Sequence, residues 1–263
     1  MGSSVKVFLF SFLLAALLFA VQPRAFAQNA DGTVVQTAAE QLLALANRAR
    51  ADNGAGRLRW DPALAAAALK HCRRMAAEGP ISHRYAGEPD LAQRTGQAGA
   101  HFSVIEENVA VGPSAAVIHD EWMRSPGHRS NLLSPDVDRA GIAVVASRGV
   151  LYAVADYSHG VESMGTREVE SRVAAMIRKS GVAIQSDASV ARAACAMDSG
   201  VPRSAAARPG FIMRWQDSQL DRLPGALISR LDSRRYRRAA VGSCPAQGVQ
   251  GTFTAYRIAV LLY

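Results

Sequence analysis

The histidines and the positive charge of this chain lie in different segments, and this separation constrains the fold more than any other feature. All six histidines precede residue 160. Residues 28–160 carry 13 Lys/Arg against 14 Asp/Glu, whereas residues 161–263 carry 15 against 8. Two segments of such different chemistry predict two domains, with a boundary near "SHGVESMGT" at residues 158–166.

The N-terminal segment has the three-part layout of a secretory signal peptide. Lys6 supplies a positive charge, residues 7–21 form the apolar run "VFLFSFLLAALLFAV", and "AFA" at residues 25–27 offers small residues for cleavage. The alternative is a membrane anchor, but the run is shorter than the ~18–20 residues that a spanning helix needs. We therefore expect a signal peptide over residues 1–27, export to the periplasm or the medium, and no transmembrane segment after cleavage.

Periodicity and capping signals divide the first segment into helices and strands. The apolar spacing predicts a helix over residues 37–54, and Asp61 followed by Pro62 marks the start of a second helix. A strand, a helix and a β-hairpin are predicted to follow, at residues 103–112, 114–125 and 140–158. We expect helices to cover a small antiparallel sheet.

Residues 161–263 predict a second, smaller and basic α+β domain of unknown type. Helices are expected at residues 168–181, around Cys195 and, interrupted by Pro224 and Gly225, at residues 218–231. Strands are expected at residues 210–215, 236–243 and 252–263.

An arginine-rich stretch, "DSRRYRRAA" at residues 232–240, has four arginines around Tyr236. It is interpreted as a solvated strand face, or else as a surface for an anionic partner such as nucleic acid, teichoic acid or a membrane.

The chain has three cysteines, Cys72, Cys195 and Cys244. Cysteines of an exported protein tend to oxidise in pairs. Since Cys195 and Cys244 both lie in the basic segment, we predict a disulfide between them, which would stabilise the fold by about 4 kcal/mol on the chain-entropy model. Cys72, in an alanine-rich helix, is expected to be a buried free thiol.

Five short motifs occur in order within the first segment, namely "RWDPALAAAA", "ISHR", "EENVAVG", "WMRSPGHRSNLL" and "GIAVV". Over residues 37–157 this ordered set resembles the CAP superfamily of cysteine-rich secretory, antigen 5 and pathogenesis-related proteins, in its bacterial secreted form. The resemblance implies a CAP-type α-β-α sandwich, which the smaller basic α+β domain then follows.

The resemblance also implies a central cleft where two histidines and up to two glutamates lie, and where the histidines can hold a divalent metal. Carried over, the histidines are His83 and His128, and Glu107 is the first glutamate. Ser125 stands where the family has its second glutamate, so we expect only weak binding of a Zn-like metal. Ser125 also opens a Ser-Pro-Gly turn, in which Asn131 is expected to bond the backbone.

The function that we favour from the sequence is a binding or interaction module at the cell envelope or outside the cell. The alternatives are a metal-dependent hydrolase, with a metal-bound hydroxide and a general base, and an apolar-ligand binder for sterol or lipid, by analogy alone. The two cleft histidines and Glu107 would otherwise form a structural hydrogen-bonded network. Four histidines match no ligand position and are expected to serve packing or the surface: His71, His101, His119 and His159.

Overall fold

The computed structural model describes residues 32–246 and 253–263. The signal peptide predicted over residues 1–27 lies outside the described residues. Within the described part of the chain, no helix combines the length and apolar character needed to cross a bilayer.

Residues before 161 form a five-stranded sheet with helices on both faces. Its strands are β1 (Thr33–Val34), β2 (Arg59–Trp60), β3 (Phe102–Gly112), β4 (Arg139–Ser147) and β5 (Val150–Gly160). The helices are α1 (Gln36–Asp52), α2 (Pro62–Glu78), α3 (Leu91–Gln97), α4 (Ala115–Arg124) and α5 (Pro126–Leu133). The strand order is β1-β4-β5-β3, and β2 pairs with β4 in parallel.

The side-chain alternation of β4 explains the layers. Ile142 and Val144 pack in one core with Trp122 of α4 and with α1, whereas Ala143 and Val145 pack in another with α2. Because successive strand residues point to opposite faces, an apolar strand of this kind needs cover on both sides. The predicted α-β-α sandwich is confirmed.

Helix α2 begins where the sequence predicted. The carboxylate of Asp61 accepts hydrogen bonds from the backbone N–H groups of Ala63 at 2.8 Å and Leu64 at 3.1 Å, and Pro62 occupies the first turn. The helix lies so close to β4 that a Cβ at Gly141 would fall 2.1 Å from the backbone nitrogen of Ala65. Glycine is therefore required at this crossing.

The Ser-Pro-Gly turn predicted at residues 125–127 is wrong. Ser125 ends α4 and occupies the N-cap position of α5 without a side-chain capping bond, and Pro126 is the first residue of α5. Proline fits the first helical position, since its missing N–H would have no intrahelical partner there. His128 and Asn131 consequently lie on a helix.

The second sheet has the order β6-β8-β9-β7. Its strands are β6 (Ala183–Ile184), β7 (Phe211–Asp217), β8 (Arg238–Cys244) and β9 (Tyr256–Leu262), and its helices are α6 (Thr166–Arg178), α7 (Ser189–Cys195) and α8 (Gly225–Asp232). Central strand β9 again alternates: Ile258 and Val260 pack with α6 and α8, and Ala259 and Leu261 with α7.

The helix predicted over residues 218–231 is wrong in its first half. Only α8 is helical, and Pro224 precedes it. A proline inside the longer helix would remove a backbone donor and clash with the preceding turn, so the chain becomes helical only after it.

Cys195 and Cys244 form the predicted disulfide, with an S–S distance of 2.01 Å and Cα atoms 5.9 Å apart. Cys72 is free and buried. Burial raises the pKa of the Cys72 thiol to about 12, so the thiol stays protonated and donates to the carbonyl of Tyr152 at 3.1 Å.

Each cluster of buried apolar residues in the described chain draws on one side of residue 160 only. The two sides nevertheless touch, because Phe102 packs edge-on against Phe253 and His101 bonds Thr254. By their contacts, all described residues belong to one compact unit. The division into domains 28–160 and 161–263 therefore stays a prediction.

Candidate functional site

Glu107 lies at the centre of the candidate cleft, on the long strand β3, and is only 5% exposed. Its Oε1 accepts a hydrogen bond from His83 Nδ1 at 2.8 Å, and its Oε2 forms a salt bridge with Arg94 Nη2. Both carboxylate oxygens therefore already have a charged or polar partner.

Arg94 was not identified from the sequence, because helix α3 was missed. Asp90 and Gln93 form a capping box at its N-terminus, in which each side chain bonds the other residue's backbone N–H. The pattern D-x-x-Q is the signal that could have found it. Arg94 also donates to the carbonyl of His83 at 3.2 Å, which ties the His83 loop to the strand.

Asp156 is the second site residue that sequence reasoning missed. It is the antiparallel partner of Glu107 on β5 and is fully buried. Neither of its carboxyl oxygens has a hydrogen-bond donor among the described residues. Burial, together with the charge of Glu107, raises the pKa of Asp156 well above its ordinary value. A protonated Asp156 can donate to Glu107, which leaves the negative charge on Glu107.

His128 lies on α5. The side-chain amides of Asn108 and Asn131 hold this helix against β3. Asn108 donates to the His128 carbonyl at 2.9 Å. Asn131 donates to the Glu107 carbonyl at 3.0 Å and to the Asn108 side chain at 3.1 Å. Asn131 thus bonds the backbone of a strand rather than that of the turn in which it was expected.

The imidazoles of His83 and His128 lie side by side, with ring centroids 6.4 Å apart and planes tilted by 46°. The hydrogen bond that His83 donates to Glu107 raises the pKa of His83. Burial, and the nearby His83, lower the pKa of His128. Proton loss from the pair therefore begins at His128 and ends at His83 as pH rises.

The pKa of Glu107 is lowered overall. Burial alone would raise it, but the His83 hydrogen bond and the positive charge of Arg94 outweigh burial. Its charged form is thus the stable one in the fold.

Ser125 lies between α4 and α5, and its side chain makes no capping hydrogen bond. Nor does the described chain contain three or more His, Cys, Asp or Glu side chains arranged to hold a metal ion. With both oxygens of Glu107 engaged, the donors that fit a divalent metal are the two imidazoles, His83 and His128.

His71 has a structural part beside the cleft. It is buried, and its ring nitrogens bond Glu88 Oε1 and the carbonyl of Ser82, each at 2.8 Å. This fixes the residue that precedes His83. His119 is almost fully buried, whereas His101 bonds Thr254 and His159 bonds Gln219.

Residues 43–157 match the model of the cysteine-rich secretory protein family, CAP. The chain is 29% identical over 128 residues to the uncharacterized membrane protein YlbC of Bacillus subtilis (strain 168), covering 47% of this chain and 36% of that protein. The chain thus spans about a third of the length of this curated relative.

Solved structures similar to part of this chain include an outer surface protein from Borrelia burgdorferi, with 19% identity, a TM-score of 0.46, and coverage of 49% of this chain and 98% of that one. Another is an extracellular protein containing a SCP domain from Bacillus anthracis str. Ames, with 24% identity, a TM-score of 0.43, and coverage of 46% and 40%. The family match covers residues 43–157, and over these residues the chain is similar to CAP-domain proteins.

Proposed function

We propose that this protein is an exported binding or interaction module whose CAP domain holds a divalent metal weakly between His83 and His128. The observation that supports it is the state of Glu107, whose two oxygens are taken by His83 and Arg94. A general base needs a free oxygen within reach of the proton that it removes. Glu107 is instead a positioning group that orients His83, so we favour binding over hydrolysis.

A metal with two protein ligands would keep open positions for water or for a partner's donor atoms. The two protein ligands in the proposed site are the rings of His83 and the neighbouring His128. The His83 side chain is 59% exposed, so a partner can reach it. Glu107 bonds Nδ1 of His83, which leaves Nε2 for the metal. The partner would be an envelope or extracellular ligand that completes the coordination.

Export rests on Lys6, the apolar run at residues 7–21 and the small residues at 25–27. It predicts a mature chain that begins at Gln28. Mass spectrometry of the secreted protein checks this, and a start far from Gln28 would contradict it.

The metal proposal is tested by calorimetric titration of zinc into protein purified without a histidine tag. We expect His83→Ala and His128→Ala each to lower the zinc affinity by at least about tenfold. His101→Ala is the matched control, since it removes an exposed histidine that bonds Thr254 instead. Equal zinc binding by all of the variants and the wild type would place the metal elsewhere.

The same proteins are then assayed for cleavage of a mixed peptide substrate. We expect no zinc-dependent hydrolysis from the wild type. Hydrolysis that either histidine substitution abolishes, but His101→Ala does not, would contradict the binding module and support a metal-dependent hydrolase.

A further inference from the structure

Six arginines gather at one end of the second sheet, where β7 and β8 begin and β9 ends. The register brings these ends together, since Phe211 and Ala239 both pair with Leu262. We call this group the arginine patch, and its members are Arg208, Arg230, Arg234, Arg235, Arg237 and Arg238.

Backbone contacts hold the arginine patch together across distant parts of the sequence. The backbone N–H of Gly210 donates to the Leu262 carbonyl at 2.9 Å, and that of Arg237 donates to the Tyr263 carbonyl at 2.9 Å. The hydroxyl of Tyr236 donates to the Gly210 carbonyl at 3.4 Å. Arg234 to Arg237 therefore lie in a loop before β8, not on the strand face that the sequence suggested.

The arginine patch carries charge that nothing in the described chain neutralises at ion-pair distance. All six arginines are exposed. Other arginines of the same segment are paired: Arg172 with Glu162, Arg192 with Glu170 and Arg257 with Asp198. Of the twelve basic residues in 161–263 that have no ion-pair partner among the described residues, six thus lie at this end of the sheet.

Two of the guanidinium groups lie over aromatic rings. The Arg230 guanidinium carbon is 5.2 Å from the centroid of the Phe211 ring, and that of Arg238 is 5.9 Å from the centroid of the Tyr263 ring. Stacking fixes the plane of the guanidinium and leaves its N–H edge for an anion, a fork geometry that lysine lacks. It also occupies the rings on which nucleobases would stack.

Apolar anchors for a bilayer are missing from the same surface. Of the large apolar side chains exposed in the described chain, only Ile228 lies on an element of the arginine patch. On α8, Ile228 and Arg230 flank opposite sides of the buried stripe formed by Leu227 and Leu231. A membrane-binding surface would place its apolar residues beside its basic ones.

We propose that the arginine patch binds a linear polymer of phosphate groups, through charge and bidentate hydrogen bonds to successive phosphates. Forked guanidinium donors match phosphate oxygens two at a time. A polymer offers many such groups at once, so that binding at several arginines adds up without a deep pocket. The proposal concerns the basic segment and is independent of the metal cleft.

The test compares two triple variants of the full-length mature protein that have the same net charge. One is Arg234→Gln/Arg235→Gln/Arg237→Gln, which removes the loop arginines of the patch. The control is Arg48→Gln/Arg57→Gln/Arg73→Gln, which removes three exposed arginines of the CAP domain. The probe is long-chain inorganic polyphosphate, titrated at low and at physiological salt, and thermal unfolding checks that both variants remain folded.

We expect the patch variant to bind polyphosphate about tenfold more weakly and with a shallower salt dependence, while the control stays within about twofold of the wild type. Equal losses in both variants would show a general effect of net charge and overturn the proposal. So would absence of wild-type binding at low salt. Tighter binding of duplex DNA, or of phosphatidylglycerol vesicles, through the same arginines would assign the patch to that partner instead.

Discussion

Replacing Arg94 by alanine is expected to lower the free energy of unfolding by about 3–5 kcal/mol, because it leaves a buried carboxylate without its cation. The side chains of Arg94 and Glu107 are 5% and 3% exposed. Asp156, beside them, cannot compensate, since it is a second carboxyl group. Urea unfolding of the wild type and of Arg94→Ala measures the difference.

Arg59→Ala is the matched control for this prediction. Arg59 pairs with Asp138 at 2.8 Å, but its side chain is 62% exposed, so its loss should change the unfolding free energy by at most about 1 kcal/mol. The pKa of Glu107 is lowered in the fold. The ionised carboxylate therefore stabilises the fold fully when the pH is above the ordinary glutamate pKa, and this stabilisation is lost as the pH falls further. The Arg94→Ala penalty should therefore shrink as pH falls below about 4.3. Equal effects of the two substitutions at neutral pH would show that the buried pair is not stabilising.

Arg50→Met is expected to lower the free energy of unfolding by roughly 3–5 kcal/mol, because it leaves buried backbone carbonyls without donors. Arg50 is fully buried on α1. Its guanidinium donates to the carbonyls of Leu132 and Ser134 at 2.9 Å and of Val137 at 3.0 Å, and also to that of Gly56. Leu132 lies in α5, so Arg50 also anchors the helix that carries His128.

Arg48→Met, on the exposed side of the same helix, is the comparison. We expect it to change the free energy of unfolding by no more than about 0.5 kcal/mol. Arg50→Lys should recover only part of the loss, because one ammonium group cannot reach all the carbonyls that the guanidinium fork does. If Arg50→Met unfolds at the same urea concentration as Arg48→Met, these hydrogen bonds contribute no net stability.

Local signals predicted the parts of this fold that local chemistry determines. Asp61 and Pro62 start α2 as expected, and Arg148 and Gly149 adopt the positive φ angles of a tight hairpin turn. The disulfide between Cys195 and Cys244 followed from their placement in one segment.

The rest of the site depends on contacts that no short stretch of sequence contains. Asp156 meets Glu107 only because β3 and β5 pair in one particular register. In the sequence, Arg50 looks like an ordinary helix-surface residue. It is buried because its guanidinium bonds backbone carbonyls that lie 82 or more residues further along the chain. Helix α3 has seven residues and only two buried ones, too few for periodicity to reveal. Only its capping box marks it.

The proposed metal site between His83 and His128 is tested most directly by following their imidazole resonances by NMR, with and without zinc. Without zinc, we expect His83 to titrate above, and His128 below, the ordinary histidine value of about 6.5.

Zinc requires neutral imidazoles, so its binding should be strongest near pH 8 and should weaken as His83 takes up its proton at lower pH. At pH 8 zinc should shift the resonances of both His83 and His128 and leave those of His101 and His159 in place. Shifts confined to His101 or His159, or none at either cleft histidine, would contradict the proposed site.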